Sequence, residues 1–107
     1  MDTRKARLVA CCLLLGVSSF GLGPTYAADA SNGERLAQRW CASCHVISSS
    51  QKGPVNEAPP FASIAKSPDF SAARIALFLL DPHPKMPNMT LSRNEAADLA
   101  AFIAKQK

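Results

Sequence analysis

The sequence predicts an all-α fold. Two Ser-x-x-Glu signatures each open an apolar run of helical period, a third apolar run lies between Ser71 and Asp81-Pro82, and no alternating β-branched stretch reads as a strand. The first helix is expected from Ser31 as cap, with Glu34 three residues on, through Leu36, Ala37 and Trp40 to Cys41. The second covers residues 71–80. Its Ile75, Phe78 and Leu79 fall at i, i+3 and i+4, and Leu77 and Leu80 make it apolar nearly all round, which predicts a well-buried helix. Asp81-Pro82 stops it, and Pro82, Pro84 and Pro87 hold the following stretch extended. The third opens at the capping box of Ser92 and Glu95. Its stripe is Leu99, Phe102 and Ile103, with Ala96 and Ala100 as small packing positions and Glu95, Asp98 and Lys105 towards water. Residues 46–70 hold three consecutive serines, Gly53 and four prolines with little periodicity; a loop that long implies something to wrap.

Residues 1–27 read as a secretory signal peptide. Arg4, Lys5 and Arg7 form a positive start, residues 8–15 an apolar segment, and Thr25-Tyr26-Ala27 a small-residue cleavage site. The apolar run is too short for a bilayer, which takes about 20 residues of helix. Cys11 and Cys12 lie inside it and would leave with it. Of the chain's formal charge of +4, +2 belongs to the leader, which holds three basic residues and Asp2. The remaining domain, 28–107, is close to neutral, which argues against a nucleic-acid partner. It is one small domain whose core needs a staple, and no cysteines are left over for a disulfide.

The candidate staple is Cys41-Ala42-Ser43-Cys44-His45. On a helical turn, thiols at i and i+3 share a face and can add to the two vinyl groups of one porphyrin; the next residue then falls under the iron. Cys41 and Cys44 are therefore read as two thioether attachments of one haem c, and His45 as the proximal ligand, oriented by a backbone carbonyl on its second ring nitrogen. A thioredoxin-like dithiol would require a preceding strand, and a zinc site a second ligand pair; the sequence offers neither.

These residues, together with Ala58-Pro59-Pro60-Phe61 and His83-Pro84-Lys85-Met86-Pro87-Asn88, resemble the class I c-type cytochromes, in particular the short bacterial periplasmic ones, over nearly all of residues 31–105. The resemblance implies the small cytochrome c fold, three main helices wrapped around one haem with proline-rich loops between them. It implies a crossing of the first and last helices at Gly33 against Leu99 and Phe102. Ala37 stands where the family usually has a larger residue, which shifts contact towards Leu36 or Trp40. It also implies that a proline carbonyl supports His45, with Pro59 fitting that position and Pro54 as runner-up. The distal ligand is expected to be Met86, which sits mid-loop before Pro87 and matches the family's Met-Pro ligand. Met89 reads as core filler, and His83 as a loop histidine or the partner in bis-histidine ligation.

The function expected is that of a periplasmic one-electron carrier and not an enzyme, working by outer-sphere transfer through an exposed haem edge. Its partners would be a donor and an acceptor protein that dock transiently on a monomer with no membrane span in the mature chain. Two alternatives stand beside it: an electron-transfer subunit of a larger oxidase or dehydrogenase complex, and a ligand-binding or peroxidase-like haem protein.

Overall fold

The structure is a computed structural model that describes residues 21–52, 57–82 and 84–107. Residues 1–20, which hold most of the expected signal peptide with Cys11 and Cys12, and Gly53, Pro54 and His83 lie outside the described residues. Residues 21–28 are exposed and non-helical. Four helices follow, α1 (Ala30–Trp40), α2 (Phe61–Ala65), α3 (Ala72–Leu80) and α4 (Arg93–Ala104), and no strand occurs among the described residues. No helix among them is long and apolar enough to cross a membrane.

Helix α4 is the hub: α1, α3 and α2 all pack on it. It begins with the expected capping box, in which the Glu95 N–H donates to Ser92 Oγ (3.2 Å) and the Ser92 N–H to Glu95 Oε2 (2.8 Å). Ala96, Leu99, Ala100, Phe102 and Ile103 are all buried, and each large apolar side chain among them contributes about 1.5–3 kcal/mol. Lys105 is exposed as expected. Asp98, expected towards water, is 1 % exposed. Its carboxylate accepts from the Asp29 N–H (2.6 Å), Tyr26 Oη (2.7 Å) and Asn32 Nδ2 (2.8 Å). Burial alone would raise its pKa, but the bonds from Asn32, Asp29 and Tyr26 and the charge of Arg35 outweigh that and hold it below 3.8. An acid of α4 thus sits at the positive end of α1.

That contact also explains a second departure. The cap of α1 is Asp29 and not Ser31: its side chain accepts from the N–H groups of Ser31 (2.9 Å) and Asn32 (3.2 Å) while its own N–H is held by Asp98. The α1–α4 crossing forms at Gly33 as expected. A Cβ built there would overlap the Asp98 carbonyl and stand 2.9 Å from Phe102 Cβ, so only glycine allows the approach. Asp98 backbone occupies the place expected for Leu99, which is buried in the core. Ala37 is fully buried, with Leu36 and Trp40 packed partly against the core beside it.

Helix α3 starts at Ser71, whose Oγ accepts from the Arg74 N–H (3.4 Å). It is less buried than its composition predicts: Leu79 is buried, but Leu77, Phe78 and Leu80 are 64, 43 and 36 % exposed. Only one flank of α3 meets α4. Of the other residues, Phe78 faces a cavity shared with the haem motif, whereas Leu77 and Leu80 lie on the outer surface.

Candidate haem site

Cys41 ends α1, and one further turn carries the rest of the motif. The Cys41 N–H donates to the Ala37 carbonyl, while the Cys44 and His45 N–H groups both donate to the Cys41 carbonyl (3.1 and 2.8 Å). The helical progression from Cys41 to His45 follows from this turn. Both thiols are free. Cys41 is 5 % exposed, and that burial, with the neighbouring Cys44, pushes its pKa up to about 11. Cys44 is half-buried, and its Sγ lies 3.5 Å from Glu57 Oε2.

His45 is nearly buried, and its Nδ1 lies 2.6 Å from the carbonyl oxygen of Pro59. A carbonyl only accepts, so Nδ1 carries the proton and Nε2 keeps its lone pair for a metal. The chain from 57 to 61 runs back beside the motif, with the Ala58 N–H on the Cys44 carbonyl (3.1 Å) and the Phe61 N–H on that of Val46 (2.9 Å). Phe61, which opens α2, packs its ring 5.4 Å from the imidazole and 6.3 Å from Phe102. An aromatic relay therefore joins His45 to the α1–α4 crossing.

Two cavities meet at the motif, one of about 200 Å³ and one of about 360 Å³. Cys41, His45, Pro59 and Met86 line both. The first is walled by apolar side chains, among them Ile64, Ile75, Phe78 and Leu79. The second opens past Trp40, Cys44, Glu57 and Lys85. Met86 is half-buried there, whereas Met89 is 6 % exposed in the core and lines neither cavity. Between Met89 and α4, Thr90 takes a φ of 50°, a strained value for a β-branched residue, with its N–H on Asn88 Oδ1 (3.0 Å).

The donor set fits a covalently held haem. Two free thiols on one turn, an imidazole with one nitrogen already engaged and a thioether share the lining of two joined cavities, and the smaller cavity is apolar. The short helix α2, the Glu57 contact and a glutamine, Gln51, belong to this region without having been singled out in the sequence; for α2 the available signal was Pro60 before Phe61.

An all-α fold with this motif at the end of its first helix defines a class I c-type cytochrome. The family described as "Cytochrome C oxidase, cbb3-type, subunit III" matches residues 28–103, and the chain belongs to that cytochrome c family. It is also 54 % identical over 92 residues to a protein named cytochrome c-552 from Bradyrhizobium diazoefficiens, an alignment covering 86 % of this chain and 88 % of the relative. Haem-dependent electron transport is the activity of this class.

Proposed function

We propose that residues 1–27 are a cleaved signal peptide and that the domain 28–107 is a periplasmic, monomeric, monohaem carrier passing single electrons between a donor and an acceptor protein. The family match beginning at residue 28 supports that boundary. Cys41 and Cys44 would hold one haem c through two thioether bonds, and His45 and Met86 would be its iron ligands. When bound, haem c supplies an iron that cycles between ferric and ferrous states.

The chain's own residues set the terms of that cycle. His45 donates its Nδ1 proton to the Pro59 carbonyl, which fixes the tautomer and makes the imidazole a stronger donor. Met86 offers a soft thioether, which favours the ferrous state and raises the potential. Ile64, Ile75 and Leu79 give the smaller cavity its apolar wall. With His45 and Met86 both committed to the iron, the protein would leave no open site for a substrate, so a carrier and not an enzyme is proposed. Outer-sphere transfer would take place beside the larger cavity, which Glu57 and Lys85 line with Cys44.

The observation that carries this reading is that Cys41, His45 and Met86 line the same two cavities while Met89 lines neither. Met86→Ala should abolish the methionine-to-iron charge-transfer band of the oxidised holoprotein, lower its potential and admit carbon monoxide. Met89→Ala should keep the band and cost about 2–5 kcal/mol of packing. Loss of the band in Met89→Ala, and not in Met86→Ala, would reverse the assignment, and a wild type without the band would favour ligation by His83. The matching family is described as an oxidase subunit. Retention of the holoprotein in a detergent-solubilised oxidase complex would make it a subunit and not a free carrier.

A further inference from the structure

The backbone around His45 is held from two directions. The returning chain takes the carbonyls of Cys44 and Val46, through the N–H groups of Ala58 and Phe61. The rest falls to one side chain. Gln51 Oε1 accepts from the Ile47 N–H (2.8 Å), and Gln51 Nε2 donates to the carbonyls of His45 and Ala42 (3.3 Å each). These three groups flank the imidazole on both sides in sequence.

We infer that Gln51 is a positioning residue for His45, its planar amide fixing the peptide frame from which the imidazole hangs. The inference rests on the reading of His45 as an iron ligand. The chemistry calls for a primary amide: Glu has no donor for the two carbonyls, Lys and Arg have no acceptor for the N–H, and Asn is one methylene shorter. The frame matters because the short Nδ1–H···O bond to Pro59 tolerates little movement. If the His45 backbone shifts, that bond lengthens, the imidazole becomes a weaker donor and the ferric state loses support. Gln51 therefore acts on the potential without touching the metal.

The test uses the wild-type holoprotein, Gln51→Met, which keeps length and neutrality but removes all three bonds, Gln51→Ala, and Ser50→Ala as an exposed neighbouring control. The readouts are the reduction potential and the pattern of haem-methyl proton shifts in the oxidised protein, which follows the orientation of the axial imidazole. Both Gln51 variants should raise the potential and alter the pattern, and Ser50→Ala should change neither. A Gln51→Met protein with a lowered unfolding midpoint but wild-type potential and shifts would reduce Gln51 to loop support and overturn the inference. If neither Gln51 variant accumulates, amide exchange in the wild type decides. The Ile47 N–H should exchange as slowly as the Phe61 N–H, and exchange at the rate of an open loop overturns the proposal. A wild type whose own spectrum lacks histidine-ligated haem would remove the underlying reading, a failure visible before any variant is compared.

Discussion

The α1–α4 crossing and the side formed by α3 and residues 84–91 are built on opposite terms. At the crossing, backbone meets backbone over Gly33, a carboxylate held by the Asp29 N–H and Asn32 Nδ2 is closed in, and Ala37, Leu99 and Phe102 leave almost no exposed surface. Across the molecule, α3 exposes Leu77, Phe78 and Leu80, and the apolar cavity lies between it and the Cys41–His45 motif. The first region is complementary to itself; the second is complementary to a group the polypeptide does not supply. One side of this small core is therefore finished by the chain itself, and in the proposed reading the other is finished by haem c.

The strongest way to break that comparison is to withhold the cofactor. A Cys41→Ala, Cys44→Ala double variant should fail to accumulate, because the α3 side then has no apolar body to close on. A stable, cooperatively folding product of that variant, seen by circular dichroism, would show that both halves are self-sufficient. Gly33→Val comes next. Its side chain would overlap the Asp98 carbonyl and Phe102, so the helices must separate, at a cost of about 3 kcal/mol in denaturant unfolding of the holoprotein. An exposed change such as Lys105→Ala should stay within about 0.5 kcal/mol. Equal losses for the two would mean that the crossing carries no special weight.

A smaller effect sharpens the account of the buried acid. The Asp98 pKa is depressed on folding, so the stability it contributes is present above its unfolded value of 3.8 and is lost as pH falls through the lower folded value. Asp98→Asn should cost about 1–2 kcal/mol at pH 7. The gap between wild type and variant should be flat above about pH 5 and shrink below about pH 4 in a series of melting curves. A gap that persists unchanged to the lowest pH at which the protein stays folded would mean that the charge of Asp98 contributes nothing.

The elements with local signals were legible from residue types alone. Ser92 and Glu95 announced α4, Ser71 and Asp81-Pro82 bounded α3, and Gly33 and Phe102 meet as the family resemblance implied. What escaped was decided by partners distant in sequence. Asp29 outcompetes Ser31 as the cap of α1 because Asp98, 69 residues away, holds its N–H. Asp98 looked solvated because a charged residue beside an apolar stripe usually is, and its burial is made tolerable by donors that include the Asp29 N–H and Asn32 Nδ2 of the proposed mature domain. Helix α2 is a five-residue turn, too short for periodicity to register, and it owes its burial to Phe61 lying between His45 and Phe102. Gln51 reads as a polar loop residue until the backbone groups around it are placed. The turn that carries Cys41, Cys44 and His45 was legible, since it depends on local spacing; the support of His45 by Pro59 came only from resemblance.

The unequal settings of the two thiols bear on the order of events before the thioether bonds exist. A thiol reacts as its thiolate, and with a pKa of about 11 the Cys41 sulfur is ionised in only about one molecule in ten thousand at pH 7. It is also shut off from solvent, while Cys44 is half open beside Glu57. Once the polypeptide has reached this conformation, an electrophile in solution meets Cys44 first and Cys41 slowly. Brief treatment of the reduced, haem-free chain with iodoacetamide should therefore label Cys44 ahead of Cys41 by peptide mapping, and equal labelling would mean that the apo-chain has not yet closed over Cys41. In the proposed reading, attachment at Cys41 would then be favoured while the end of α1 is still open, which sets the rate of folding against the rate of bond formation.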